Sequence, residues 1–262
     1  MNSIWAARKL HMFYEIYFSP TGGTKKVADA LGSAWEEKES IDLMKVSDEE
    51  LSRSFSAEDF CLFAVPVYAG RVPEFAIERI RRLRAYGTHA AASVVYGNRA
   101  FDDALLELKD TLTGCGFLVV AGVAAIAQHS VCPSVARGRP NPEDFRKLSD
   151  FSDRIRDASE RDPSQSVMVP GNSPYLPRKA MPIHPVGGLT CHRCGLCASQ
   201  CPVKAIPAAN PQRVNSSKCI SCMHCVSVCP FGSRHASLFA RAAGAALLKK
   251  SAAEPKENEL FL

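Results

Sequence analysis

The chain contains 262 residues, of which 46% are hydrophobic and 23% are charged, and its formal net charge is +5. This length allows more than one domain with a substantial core. No stretch reaches the apolar length needed to span a membrane, and residues 1–11 lack the apolar region and cleavage site of a signal peptide. The eleven cysteines favour a reducing compartment over a disulfide scaffold. We therefore expect a cytoplasmic protein, with either Met1 or Met12 as its first residue.

A strand, a turn and a helix follow the N-terminal extension over residues 1–11. Phe13–Phe18 is a short aromatic and β-branched run that predicts a buried strand, and residues 25–35 repeat apolar side chains at helical spacing. Glycines in the turn allow close backbone approach, and the amides and macrodipole of a helix start favour an anion. An ordinary capped helix start is the alternative. We expect the turn to bind phosphate through Ser19, Thr21, Gly22, Gly23 and Thr24.

Strand and helix patterns alternate over the rest of residues 12–160. Further strands are predicted at 41–46, 60–65, 91–96 and 117–126, and helices at 74–83, 102–113 and 141–159. This alternation indicates a doubly wound five-stranded parallel sheet of the α/β class. Ligands of such sheets bind beyond the carboxyl ends of the strands, where the loops at 19–24, 66–73 and 96–101 meet. The first loop lacks the glycine spacing of ATP and dinucleotide sites, so those ligands are less expected.

The composition changes at residue 161. Residues 161–185 contain six prolines, which predicts a stiff, semi-extended linker rather than a packed element. Residues 186–235 hold five basic and no acidic side chains, whereas residues 1–160 hold 20 basic and 23 acidic ones. These opposite charges would favour docking of the two parts on each other. Residues 236–262 predict an alanine-rich helix and a polar tail, whose last three residues are either frayed or tucked into a groove.

Two copies of the run C-x2-C-x2-C-x3-C-P lie in residues 186–235, and this is the run of bacterial two-cluster ferredoxins. Three cysteines of each run ligate one cubane cluster, and the fourth ligates the other cluster. We assign one cluster to Cys191, Cys194, Cys197 and Cys229, and the other to Cys219, Cys222, Cys225 and Cys201. Zinc or disulfides are the alternatives. The runs predict a small α+β ferredoxin domain with two [4Fe-4S] clusters.

Residues 12–160 resemble the flavodoxin-like FMN-binding domain. The resemblance is carried by Thr-Gly-Gly-Thr at 21–24, Pro-Val-Tyr-Ala-Gly-Arg-Val-Pro at 66–73 and Val-Tyr-Gly-Asn-Arg at 95–99. It implies that FMN binds with its phosphate in the first loop. Its ring would lie between Pro66, Val67, Tyr68, Ala69 and Gly70 on one side and Tyr96, Gly97, Asn98 and Arg99 on the other. Tyr68 or Tyr96 would stack on the ring, and a core position is the alternative for Tyr96.

Three further side chains lie near this predicted flavin site. Arg71 and Arg99 are expected at the flavin rim, where their charge would raise the flavin potential. The alternative is that both are solvated surface arginines. His129 follows the fifth predicted strand, and we expect a structural role for it, with contact to the flavin or a substrate as the alternative.

Together with the eight cysteines, these motifs are similar to the EFR1 family of flavodoxin–ferredoxin fusion proteins over nearly the whole chain. We predict an electron-transfer protein that exchanges electrons with redox partner proteins. Nucleic acid is not expected as a partner, because two clusters and FMN would bring the net charge to about −1. One alternative is a ferredoxin-linked flavin reductase of a quinone or nitro compound. Another is a flavodoxin half that has lost FMN and serves as a docking module.

Overall fold

The computed structural model describes residues 12–160, 166–179 and 183–262, so the predicted N-terminal extension and part of the linker lie outside it. The strands in chain order are β1 (Phe13–Tyr17), β2 (Lys38–Asp42), β3 (Ser54–Phe55), β4 (Phe60–Pro66), β5 (Arg84–Ala85), β6 (His89–Tyr96), β7 (Leu118–Ile126), β8 (Val186–Gly187), β9 (Arg234–His235) and β10 (Glu259–Phe261). The helices are α1 (Gly23–Leu31), α2 (Glu74–Ile80), α3 (Ala104–Gly114), α4 (Pro142–Glu160), α5 (Leu196–Ser199), α6 (His224–Ser227) and α7 (Leu238–Ser251), with a 3-10 turn at Glu50–Ser52.

Five parallel strands form the predicted doubly wound sheet. Their order across the sheet is β2-β1-β4-β6-β7, and every neighbouring pair is parallel. When only these five strands are counted along the chain, the order is 2-1-3-4-5, which is that of flavodoxin-like sheets. The flavodoxin-like α/β fold predicted for the N-terminal part is therefore confirmed.

The sheet differs from the prediction at both edges. β2 ends at Asp42 rather than at Val46, because the chain turns there and the Asp42 carbonyl accepts from the amides of Lys45 and Val46, both at 2.9 Å. At the other edge, β10 pairs antiparallel with β7, with Leu260 opposite Val123. The tail thus adds a sixth, antiparallel strand to the sheet.

Helices cover both faces of the sheet. α1 and α4 pack on one face through residues that include Leu31 and Phe151, and α2 and α3 pack on the other through residues that include Ile77 and Leu108. Residues 60–65 of the central strand β4 are at most 1% exposed, which explains why that run is apolar throughout. Each buried Leu, Ile or Phe side chain contributes about 1.5–3 kcal/mol, so this core fixes the carboxyl edge of the sheet.

Residues 186–235 form a small α+β unit, which we call the cysteine-rich lobe. β8 and β9 pair antiparallel, with Val186 opposite His235, and the one-turn helices α5 and α6 contact each other. Each helix follows a residue in the left-handed conformation, which is Gly195 with φ +79° in the first run and Met223 with φ +61° in the second. The two cysteine runs therefore have similar backbones, as their repeated spacing predicts.

A third apolar cluster joins the lobe to the sheet. Val131 and Cys132 from the loop after β7 pack with Ile183 of the linker and with Met223 and Ala236, and each of the five is at most 9% exposed. α7 packs against the same cluster, so the helix predicted after residue 235 docks at the junction of the two parts. Among the described residues, no helix has the length and apolar character required to cross a membrane.

The described part of the linker is bound to the sheet domain. We call residues 166–179 the strap. The Val167 amide donates to the Val119 carbonyl at 2.8 Å, and the Val167 side chain belongs to the main core. The backbone at Gly171 passes so close to α3 that an added Cβ would lie 2.5 Å from the Cβ of Leu106. These residues form no helix or strand, as predicted, but their packing at Val167 and Gly171 contradicts the expectation of an unpacked connector.

Asp103, immediately before α3, is the first of three acidic side chains that hold the strap. Its Oδ1 accepts from the amide and side-chain nitrogens of Asn172 at 2.9 and 3.0 Å, and its Oδ2 accepts from the Leu176 amide at 2.6 Å. Burial opposes the charged form, but these hydrogen bonds outweigh it and hold the pKa of Asp103 below its usual value. The carboxylate is fully buried, so the strap supplies the polar partners that burial requires.

Glu107 and Asp110 continue this acidic face along α3. Glu107 forms ion pairs with Arg178 and, at 2.8 Å, with Arg71, and Asp110 accepts from the Tyr175 hydroxyl at 2.6 Å. The Arg71 guanidinium also lies 4.7 Å from the centre of the Tyr175 ring. Arg71 therefore joins α3 to the strap and is not a solvated surface arginine, while its expected effect on the flavin potential stays a prediction.

Replacing Asp103 should loosen the strap. In Asp103→Asn the buried side chain loses its charge and one of its acceptor oxygens, so a strap amide loses its partner. We expect the free energy of unfolding to fall by about 1–3 kcal/mol, with earlier proteolytic cleavage between residues 166 and 179. Thermal unfolding and timed proteolysis measure the two effects. Asp157→Asn, at an exposed position on α4, is the matched control, and equal behaviour of the two variants would contradict the assigned role.

Candidate functional site

A cavity of about 90 Å³ that is partly open to solvent lies at the carboxyl edge of the sheet. Three predicted loops converge on it, together with residues 127–131 after β7 and with Ser221 of the cysteine-rich lobe. Nine of the predicted flavin residues line it, namely Thr21, Gly23, Thr24, Pro66, Val67, Tyr68, Ala69, Tyr96 and Gly97. The other five predicted residues belong to the same loops but do not line the cavity, namely Ser19, Gly22, Gly70, Asn98 and Arg99.

The first loop has the form of an anion-binding turn. Gly22 adopts φ +86°, and nothing lies within 4 Å of a Cβ built there, so its role is to turn the chain into α1. Ser19 accepts from the Lys25 amide at 2.9 Å through its Oγ. The amides of Gly23 and Thr24 belong to the first turn of α1, where a helix offers no acceptor of its own. The turn therefore presents donors toward the cavity, with Ser19 holding its shape.

A close approach of two loops closes another side of the cavity. A Cβ added at Gly97 would lie 2.6 Å from the Cδ2 of His129, so glycine is required for the loops to meet. The His129 Nδ1 accepts from the amides of Val131 and Cys132 at 3.2 and 3.1 Å, which places the ring proton on Nε2. Burial lowers the pKa of His129 and keeps the ring neutral. His129 has the structural role expected for it, and it also lines the cavity.

Two predicted flavin residues that do not line the cavity lie against Asp102 instead. Gly70 adopts φ +82°, and a Cβ there would come 2.2 Å from the Oδ2 of Asp102. The Arg99 guanidinium forms an ion pair with the same carboxylate. Asp102, a neighbour within the same loop, thus balances the charge of Arg99, and the expected effect of Arg99 on the flavin potential stays a prediction.

Asn98 holds the C-terminal tail. Its side-chain nitrogen donates to the carbonyls of Ala252 and Glu254, both at 2.9 Å, and its Oδ1 accepts from the Lys256 amide at 2.9 Å. The residue is 5% exposed and adopts φ +62°. Both polar groups of the side chain are used by the tail, in three hydrogen bonds, so only the backbone of Asn98 is left to flank a flavin as predicted.

Two tyrosines flank the cavity in different settings. Tyr96 is 3% exposed and meets Phe101 edge-on, with ring centres 5.4 Å apart, and burial raises its pKa to about 12. Tyr68 is half-buried in a tight turn, where its amide donates to the Arg71 carbonyl at 2.9 Å. Burial, with a smaller effect of the Cys222 thiol, raises the pKa of Tyr68. Tyr68 therefore lies between the cavity and the second cysteine run.

The cysteine-rich lobe contacts the cavity through this second run. The His224 Nδ1 donates to the Pro20 carbonyl at 2.7 Å, and the Ser227 hydroxyl donates to the same oxygen at 3.2 Å. Ser221 lines the cavity and donates to the Ile183 carbonyl at 2.6 Å. The second run is therefore fixed directly over the anion-binding turn, at a contact that the spacing of the cysteines does not reveal.

Cys201 lies near two cysteines of the second run. Burial raises the pKa of Cys219 and, to about 12, of Cys222, and the nearby Cys201 thiol adds to the increase in both. The Cys229 sulfur accepts from the amides of Phe231, Ser233 and Arg234, which outweigh burial and lower its pKa. All eleven cysteines are free thiols. Among the described residues, no three Cys, His, Asp or Glu side chains form a site for a single metal ion.

The lobe matches a known family. Residues 187–230 match the 4Fe-4S dicluster domain, which covers both cysteine runs. A 59-residue segment is 44% identical to part of the putative oxidoreductase AegA of Escherichia coli (strain K12), and the match covers 21% of this chain and 9% of that protein. The chain thus spans less than a tenth of the length of this curated relative. The prediction of a ferredoxin-type domain in the C-terminal region is therefore confirmed.

Several solved flavodoxins are similar in structure. A flavodoxin from the domain Archaea is 16% identical, covers 57% of this chain and 99% of its own, and gives a TM-score of 0.40. The flavodoxin of Streptococcus pneumoniae TIGR4 is 13% identical, with coverages of 56% and 98% and a TM-score of 0.41. The Fusobacterium nucleatum flavodoxin bound to flavin mononucleotide is 12% identical, with coverages of 56% and 97% and a TM-score of 0.40. The fold assignment rests on the strand order of the chain itself.

Adding a side chain at Gly97 should change the wall of the cavity. In Gly97→Ala the new methyl group would overlap the His129 ring, and overpacking of this kind costs about 1–3 kcal/mol. We expect a lower unfolding temperature and an altered cavity wall, measured by thermal unfolding and by histidine NMR signals. Gly114→Ala is the control, because nothing lies within 4 Å of a Cβ at that position. Wild-type stability and an unshifted His129 signal in Gly97→Ala would contradict the close approach.

Proposed function

We propose that the chain is an electron-transfer protein that passes single electrons between two [4Fe-4S] clusters and FMN, and that it is a member of the EFR1 family. When bound, the clusters supply one-electron transfer and the flavin supplies one- or two-electron transfer. The observation that carries this proposal is the contact of the second cysteine run with the cavity, through Ser221, His224 and Ser227. It brings the two predicted cofactor sites together. The proposed domains are 12–160 for the flavin, 161–185 for the linker, 186–235 for the clusters and 236–262 for the C-terminal helix and tail.

The residues of the cavity suit a phosphorylated flavin. The amides of Gly23 and Thr24 and the Thr21 hydroxyl supply donors for a phosphate at a helix start. Tyr68 and Tyr96 supply aromatic surface. The cavity volume of about 90 Å³ is below the roughly 300–1,000 Å³ of sites that bury a drug-sized ligand. A flavin would therefore have to extend beyond the cavity toward solvent.

The chemistry of the lobe suits clusters held in the crossed arrangement. Cys201 lies beside Cys219 and Cys222, as ligation across the two runs requires. We call the proposed site of Cys201, Cys219, Cys222 and Cys225 the inner site. The proposed site of Cys191, Cys194, Cys197 and Cys229 is the outer site, because Cys194 is exposed.

Redox partner proteins are proposed to dock at the outer site. Leu189 is fully exposed and Phe231 is 48% exposed, and they lie two residues from Cys191 and Cys229 respectively. The Phe231 ring contacts His192, with ring centres 4.3 Å apart. Exposed apolar side chains next to a redox centre supply the dry contact area that a transient partner needs.

A carrier is favoured over a reductase of small molecules. Ser221 and the second cysteine run lie over the cavity, and the space that remains there is about 90 Å³. The second cysteine run thus occupies a side of the predicted flavin site from which a small molecule could otherwise approach. Turnover of such a compound by the purified protein, without a protein acceptor, would favour the reductase instead.

The cofactor content tests the proposal. We expect anaerobically purified protein to contain about eight irons, matching sulfide and one FMN per chain, measured together on one sample. Full iron content without flavin would support the docking-module alternative for the sheet domain. About four irons would show that one cysteine run is not used as assigned.

Paired substitutions test the crossed ligation. Cys201→Ser combined with Cys222→Ser should remove the inner cluster and leave about four irons, because both residues serve one site. Cys201→Ser combined with Cys194→Ser should remove both clusters. Iron analysis and EPR of the reduced protein give the counts, and Cys115→Ala, in the sheet core, is the control. The opposite pattern, with about four irons left in the second variant, would show that each run ligates its own cluster.

A further inference from the structure

Arg234 is a buried arginine in the centre of the cysteine-rich lobe. It lies on β9 and is 2% exposed. Its Nη2 donates to the Pro185 carbonyl at 2.5 Å, and its Nη1 donates to the Pro211 carbonyl. The same Nη1 lies 3.8 Å from the Cys197 sulfur. These contacts fix the guanidinium inside the lobe.

The lobe contains no carboxylate to balance this charge. Residues 186–235 include no Asp or Glu, and an arginine side chain stays protonated in proteins. Its buried Nε has no hydrogen-bond partner among the residues that the structure describes. A buried charge needs a partner of opposite charge to be tolerated. The groups in the lobe that can supply negative charge are the cysteine thiolates.

Cysteines of both runs lie near the guanidinium. Cys197, whose sulfur lies 3.8 Å from Nη1, belongs to the proposed outer site. Burial raises the pKa of Cys225, of the inner site, and Arg234 opposes that increase by its charge and by a hydrogen bond. The pKa of Cys229, of the outer site, is lowered against burial by backbone amides and by the charge of Arg234. One positive charge is therefore in contact with ligands of both sites.

We propose that Arg234 is a positive charge shared by the two clusters, which balances their negative charge and raises the reduction potential of both. This inference rests on the proposed function, because it requires both clusters. Arg234 acts through the cluster ligands and is a positioning residue for electron transfer rather than a catalytic one.

The direction of the effect follows from the charge on each cluster. A cubane with its four thiolates carries about −2 when oxidised and about −3 after it gains one electron from an external reductant, with no bond formed or broken. A fixed positive charge nearby stabilises the more negative state, and burial strengthens that interaction. Removing the charge therefore lowers both potentials, whereas a change at a residue close to one cluster lowers only that one.

Redox titration of three variants tests this inference. Arg234→Gln removes the charge, Arg234→Lys keeps it, and Arg213→Gln removes an exposed arginine of the same lobe. Each protein is titrated anaerobically with mediator dyes, and the reduced clusters are followed by EPR. We expect both potentials to fall in Arg234→Gln, to stay near the wild-type values in Arg234→Lys, and to shift least in Arg213→Gln.

The outcomes separate this inference from the proposed function. Wild-type protein without clusters overturns the proposed function itself. Arg234→Gln protein that holds about eight irons but shows unchanged potentials, or a fall in one cluster alone, overturns the shared charge and leaves the proposed function standing. If the Arg234→Gln protein does not assemble its clusters, the potentials of the Arg234→Lys protein test the inference. Wild-type potentials there support the inference, and a fall of both potentials despite the retained charge overturns it.

Discussion

Three carboxylates on one face of α3 hold the two parts of this molecule in one arrangement. Asp103, Glu107 and Asp110 each bind the strap, so a proline-rich segment becomes a fixed element of the sheet domain. The chain continues from the strap to Ile183, whose carbonyl accepts from Ser221 over the cavity. The position of the cysteine-rich lobe is thus set from two directions, by the strap and by the contact of α6 with Pro20. An ionised carboxylate in a buried position is stable only with such partners, so the strap and α3 depend on each other.

The two cysteine runs have the same spacing and different surroundings. Ser221 of the second run lines the cavity and Met223 belongs to the buried apolar cluster, while the first run includes the exposed Cys194. Sequence spacing gives each run the same capacity to hold metal, and tertiary packing alone places the proposed inner site at the cavity and the proposed outer site at the surface. That asymmetry gives the proposed electron path a direction in space, with partner proteins at one end and the sheet edge at the other.

Structural features that depend on residues close together in the sequence were predicted well. Strand and helix periodicity is local, so the five parallel strands and their shared carboxyl edge were predictable, as was the first loop with its turn at Gly22. The contacts of side chains whose partners lie far away in the sequence were not predictable. Asn98 binds Ala252 and Glu254, and Arg71 binds Glu107 and the strap. Nothing in a loop motif distinguishes a side chain that faces a ligand from one that faces another segment of the chain.

The short strand β10 has a consequence for the behaviour of the sheet. β7 would otherwise present an open row of amides and carbonyls, and such edges recruit strands from other molecules. Glu259–Phe261 covers part of that row, and the Asn258 side chain accepts from the Ile126 amide at 2.8 Å, just past the paired residues. Since Asn98 anchors the same tail next to Gly97, a disturbance at the cavity wall would also uncover the sheet edge. Self-association would then accompany damage to the site.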